Sequence, residues 1–124
     1  RDWSSDVCSS DLYSQIVHYE NNVPVQIEDR FVNPETAPDY LRQVLNKQTP
    51  YTYLMDIAPL TAGEHRVEAI SASDEQRHLL QLEEHEPCLL IHRRTWSGSR
   101  VVTSARLIYP GSRYQLFGRF TSHG

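Results

Sequence analysis

The chain is poor in the residues that mark the common specialised classes. Its 124 residues include two cysteines, one methionine, one lysine and five glycines. Two cysteines are too few for a disulfide-stapled secreted scaffold. One of them, Cys88, lies in the apolar run Pro87-Cys88-Leu89-Leu90-Ile91 and reads as a small buried hydrophobe. No apolar run approaches the ~20 residues of a membrane-spanning helix, and mean hydropathy is -0.56. There is no G-x-G-x-x-G, no phosphate loop and no G-x-S-x-G elbow, which disfavours dinucleotide, nucleoside triphosphate and serine-hydrolase chemistry. The six histidines (His18, His65, His78, His85, His92 and His123) show no paired ligand spacing, and no C-x-x-C is present. Neither a metal nor a cofactor is therefore expected. Acid is missing from the last third: after Glu86 come Arg93, Arg94, Arg100, Arg106, Arg113 and Arg119 with no carboxylate among them.

What is present fits one small globular domain. Hydrophobic residues make up 39% and charged residues 23%, with a net charge of -4. The first twelve residues, Arg1 to Leu12, are rich in Ser and Asp, show no period, and resemble a translated sequencing-adapter scar. Residues 1–12 are expected to be a non-native or disordered leader, and 13–124 the domain. The thiols and the absence of a signal-peptide pattern give a cytoplasmic expectation.

Alternation marks a strand from Ser14 to Glu20 and another from Val23 to Val32, joined by Asn21-Asn22, residues that tolerate the positive φ of a tight hairpin. Pro24 suits an edge or a strand start. Pro38 and Asp39 open a short helix to Leu45, with Tyr40, Leu41, Val44 and Leu45 as its apolar stripe. Thr49-Pro50 begins a second helix, stopped by Pro59. Glu64 to Ser71 alternates as a strand. Ser73 with Gln76 forms a capping box for a helix to about Leu82. Cys88 to Trp96 and Arg100 to Tyr109 form a second long hairpin around Ser97-Gly98-Ser99, and Tyr114 to Phe120 is a candidate last strand. Strands joined as hairpins imply antiparallel pairing, so the fold class is α+β: an antiparallel β-sheet with short helices packed on it.

Two features carry chemistry. Gln26, Glu28 and Arg30 share one strand face, which is either a solvated salt bridge or a polar pocket wall. The Arg-only last third has three readings: phosphate binding, pairing with the acidic strands Glu28-Asp29 and Glu64 to Glu68, or capture of a small anion by one or two guanidinium forks. The near-absence of lysine and of a helix-turn-helix pattern weakens the first.

The blocks from His18 to Pro34, Ala37-Pro38-Asp39-Tyr40-Leu41, Tyr53-Leu54-Met55, Ala58-Pro59-Leu60-Thr61, Arg93-Arg94-Thr95-Trp96-Ser97-Gly98, Val101 to Arg106 and Pro110 to Tyr114 resemble, in order and spacing, the effector domain of GntR-type histidine-utilisation repressors. The resemblance implies a UTRA domain with a fold similar to chorismate lyase. It implies a homodimer that senses urocanate or a related imidazole acid and so relieves repression. DNA would be bound only through an N-terminal winged helix-turn-helix that these residues do not contain, and no membrane is involved. It implies no enzyme activity; a chorismate lyase-like enzyme, or an effector domain for another small carboxylate, is the alternative. Urocanate needs a guanidinium for its carboxylate and an acceptor for its imidazole N–H. Arg106 and Arg30 are the candidates for the first and Glu28 for the second. His18, Ser104 and Tyr114 complete the expected ligand-binding set. The hairpin around Arg93 to Val102 is the expected dimer contact.

Overall fold

The computed structural model describes residues 11–42 and 49–122. Five strands form one sheet: β1 (Leu12–Glu20), β2 (Val23–Val32), β3 (Ala62–Ser71), β4 (Pro87–Ser97) and β5 (Arg100–Pro110). Their order is β1-β2-β5-β4-β3, and every neighbouring pair is antiparallel. A 3-10 turn (Tyr40–Arg42) and the helices α1 (Pro50–Ile57) and α2 (Asp74–Leu80) complete the fold. The α+β expectation therefore holds. Among the described residues no helix is long and apolar enough to cross a membrane.

Local chemistry sets the element ends. Asn21 and Asn22 take φ of 53° and 67°, the paired left-handed turn whose twist matches that of the strands it joins. Thr49 caps α1 by accepting from the Thr52 N–H, with proline at the first helical position. The Ser73–Gln76 capping box is formed in both directions. Gly98, at φ 60°, turns the β4–β5 hairpin. Pro24 stands at the start of β2, an interior strand, beside the β-bulge at His18/Tyr19.

Because directly paired residues share a face, the register divides the sheet cleanly. One row on the front face runs Arg30, Ala105, Arg93, His65 across β2, β5, β4 and β3; the adjacent row, Asp29, Arg106, His92, Arg66, lies on the back. The 3-10 turn and α1 cover one end of the sheet, burying Val32, Tyr40, Leu54 and Val102 in a common cluster. Helix α2 covers the back near the other end, where Leu80 packs with Ile27, Cys88, Leu90 and Ile108. Each such side chain contributes about 1.5–3 kcal/mol of burial. Cys88 is buried as its apolar surroundings suggested.

Three expectations are corrected. Within the expected helix from Asp39 to Leu45, Tyr40–Arg42 forms a 3-10 turn rather than α-helix, with Leu41 exposed; residues 43–45, Val44 and Leu45 among them, lie outside the described residues. Tyr114 to Phe120 forms no strand. Both flanks of β5 are already paired, so this segment meets no strand edge, and Leu116, Phe117 and Phe120 are exposed. Val102 is fully buried at the bulge between Thr95 and Trp96, so it does not face a partner. Of the expected leader, residues 1–10 lie outside the described residues. Leu12, within it, opens β1 opposite Val32.

Arg113 holds the end of α2. Its Nη1 donates to the carbonyls of Pro24 (2.8 Å) and Leu80 (2.5 Å), and its Nη2 donates to that of Gln81 (2.8 Å). The Leu80 and Gln81 carbonyls are among those that a helix end leaves unpaired, and the Pro24 carbonyl ties that end to the start of β2. Arg113→Ala should lower stability by about 2 kcal/mol, since charged hydrogen bonds are lost at a partly buried end. Denaturant unfolding measures it, and a loss below about 0.5 kcal/mol would show the clamp to be dispensable.

Candidate functional site

The front face of β2 carries a buried charged group. Arg30 Nε donates to Glu28 Oε2 at 2.8 Å, and both side chains are about 95% removed from solvent. His18 Nε2 lies 3.0 Å from Glu28 Oε1. Because a carboxylate only accepts, the His18 proton on Nε2 is the one donated. Burial by itself pushes the Glu28 carboxyl pKa up. The hydrogen bond from His18, followed by the charge and hydrogen bond of Arg30, outweighs it, so the pKa lies below the ordinary 4.5. Glu28 is an ionised anchor with both oxygens engaged.

Beyond Arg30 the front face opens into a cavity of about 510 Å³, lined by Arg30, Leu54, Leu60, Thr61, Ala62, Gly63, His65, Arg93 and Thr95. Helix α1 supplies its apolar wall through Leu54. The floor follows from the register: Ala105, a small residue on β5, stands between Arg30 and Arg93. With strands ~4.8 Å apart, the two arginines start ~10 Å from each other with little side chain between them. Arg93 Nε donates to His65 Nε2 at 2.7 Å. His65 Nε2 is therefore the acceptor nitrogen, and the ring carries its proton on Nδ1. Burial, then the charge of Arg93, lowers the His65 pKa below 6.5 and so favours the neutral ring. Thr95 and Thr103 share a hydroxyl hydrogen bond of 2.7 Å at the cavity's inner edge. The cavity thus offers two guanidinium groups, one already committed to Glu28 through Nε, and an apolar wall opposite a hydroxyl. A flat, mono-anionic molecule matches that set.

Four of the six sequence-derived residues lie on this front side. His18, Glu28 and Arg30 form the hydrogen-bonded group just described. Tyr114 stacks on Tyr109 with ring centroids 3.8 Å apart, over Ile91 and Leu107. Of the six, only Arg30 lines the cavity. Ser104 and Arg106 project from the back: Arg106 is paired with Asp29 and His92, and Ser104 with Phe31 and Arg94. The sheet stands between them and the cavity. Sequence reasoning missed Arg93, His65 and Thr95 as site residues. The signal was the register of β4 against β5 and β3, which brings Arg93 opposite both Ala105 and His65. The acid–arginine pairing expected between strands is also present, as Glu64 with Arg94 on the back of β3 and β4.

The fold is an antiparallel sheet with a polar pocket between sheet and helix, and the chain belongs to the UTRA domain family, whose model matches residues 9–115. It is 65% identical over 110 residues to the histidine utilization repressor of Pseudomonas putida and 64% identical over 111 residues to that of Pseudomonas aeruginosa, covering 89% and 90% of this chain. It spans 44% of each of those proteins, less than half their length. The crystal structure of the C-terminal domain of the histidine utilization repressor from Pseudomonas syringae pv. tomato superposes with a TM-score of 0.85 at 64% identity, covering 89% of this chain and 78% of that one. A GntR-family transcriptional regulator from Enterococcus faecalis shares the fold alone, with a TM-score of 0.77 at 14% identity over 89% of this chain and 81% of that one.

Proposed function

We propose that this domain is the effector-sensing part of a transcriptional repressor of histidine utilisation, and that it binds urocanate in the front cavity. The observation that carries the reading is the cavity itself: Arg30 and Arg93 flank the small Ala105 beside an apolar wall, in a chain 64% identical to the C-terminal domain of a histidine utilization repressor. The carboxylate of urocanate sits between the two guanidinium groups. Its conjugated link lies against Leu54 and Leu60, and its imidazole reaches toward Thr95. Glu28 and His18 act one step back by fixing the Arg30 guanidinium, while Tyr114 closes the front face beside them. No bond is made or broken, so the domain is not an enzyme.

The whole protein, on this reading, works in the cytoplasm as a homodimer. It reaches DNA through a winged helix-turn-helix outside these residues. Urocanate relieves repression only by binding better to the arrangement that releases the operator. Calorimetric titration of the folded chain with urocanate tests the ligand. The expected result is one saturable site per chain, with a thermal shift that grows with ligand concentration. No heat and no shift at millimolar urocanate, with a response to another small carboxylate, would reassign the effector.

A further inference from the structure

Gly98 and Gly111 have structural reasons to lack a side chain. Gly98 sits at φ 60° in the β4–β5 turn. At Gly111 a Cβ would stand 2.7 Å from the Pro87 carbonyl oxygen, too close for a methyl group. Gly63 has neither reason. It lies exposed within β3, and its φ is outside the left-handed region. A Cβ there would meet the Arg94 carbonyl oxygen at 3.6 Å and Thr95 Cγ2 at 3.8 Å, which are ordinary packing distances. Its pairing with Thr95 belongs to a ladder unbroken from Ala62↔Trp96 to Ser71↔Pro87. Glycine inside a strand costs stability, because more backbone freedom is lost on folding and no side chain packs. Strand β3 bears that cost at Gly63 with no gain to its own geometry.

The missing side chain leaves room in the front cavity, which Gly63 lines. Thr95 stands directly opposite it on β4, and His65 follows two residues along β3, so all three share the front face. The space over Gly63 is therefore bordered by a hydroxyl and an imidazole. It lies one row, ~7 Å along the strands, from Arg93 and Ala105. That is about the reach of a carboxylate joined to a small ring through a two-carbon link.

We propose that Gly63 is a specificity-determining residue: its absent side chain leaves the space that receives the ring of a flat heteroaryl carboxylate whose acid end lies between Arg30 and Arg93. The inference rests on the anion reading of the cavity given above. The ring meets polar neighbours of both kinds. Thr95 offers a hydroxyl that can donate or accept, and His65 keeps one N–H while its other nitrogen accepts from Arg93. Any side chain at position 63 takes up part of this space. It excludes ring-bearing acids, spares short-chain acids that need only the guanidinium groups, and strengthens β3. The role in recognition and a role in folding thus have opposite signs, and substitution separates them.

Gly63→Ala and Gly63→Val should both melt at or above the wild-type temperature, since each puts a better strand former into an extended position. Calorimetry with urocanate should show a loss graded with volume, about threefold for alanine and about tenfold or more for valine. Crotonate carries the carboxylate and the conjugated link but no ring. At millimolar concentration it should shift the Arg93 Nε–H NMR signal equally in the wild type and in Gly63→Val. A Gly63→Val protein that melts well below the wild type shows a structural glycine and overturns the proposal. So does one that keeps wild-type urocanate affinity, or one that loses crotonate together with urocanate. A wild-type chain that binds no urocanate overturns the ligand reading and this inference with it, before any variant is made.

Discussion

Glu28→Ala should destabilise the domain by about 3–5 kcal/mol, because it leaves the Arg30 guanidinium buried without its carboxylate. That is a large share of the ~5–15 kcal/mol that holds a domain of this size together. The cost arises from the orphaned charge and not from lost volume. A double replacement that removes both charges, Glu28→Met with Arg30→Met, should therefore recover most of it. The pH dependence has a definite sign. Glu28 has a folded pKa below 4.5, so its stabilising contribution is complete above 4.5 and is lost as pH falls through the lower folded value. Glu28→Gln should flatten that acid limb of the stability curve while leaving the limb above neutrality unchanged. Urea titrations across pH measure both effects. A Glu28→Ala loss under about 1 kcal/mol would mean that water reaches Arg30 and that the group is not a closed anchor.

The fold was legible because its local signals agree with its packing. The Asn21-Asn22 turn, the Thr49 cap and the Ser73–Gln76 box each fix an element end through hydrogen bonds that depend on a few adjacent residues. The tail shows the limit of that reasoning. Tyr114 to Phe120 has strand-like composition, but a strand also needs a free edge, and that is a tertiary condition. The site was half legible for a related reason. Alternation within β2 correctly put Glu28 and Arg30 on one face, since both lie on the same strand. Placing Arg106 with them required the relative register of β2 and β5. Glu28 pairs with Leu107 and Asp29 with Arg106, and this one-residue offset turns Arg106 to the back. Arg93 and Arg94 are likewise adjacent and chemically alike, yet one lines the cavity while the other pairs with Glu64 and lies over Trp96. Composition identified the arginines; only the pleat separates those that can meet a ligand from those that tie the sheet together.

That separation makes the second large prediction. Arg93→Ala should weaken urocanate binding about 30- to 100-fold, the loss of a charged hydrogen-bonding fork worth ~2–3 kcal/mol to a carboxylate. Arg106→Ala should change the affinity less than about twofold, because its side chain leaves from the opposite face of the sheet. Arg93→Lys should fall between them: it keeps the charge but loses the two-pronged geometry and the donation to His65. Calorimetry supplies the affinities, and His65 supplies an internal control. The Arg93 charge helps to hold the His65 pKa below 6.5, so removing it should move the His65 titration upward in the imidazole NMR spectrum. The burial part of that shift remains, so the return is partial. An Arg93→Ala protein with the shifted His65 titration and undiminished urocanate affinity would place the carboxylate elsewhere. A larger loss in Arg106→Ala than in Arg93→Ala would move the whole site to the back of the sheet.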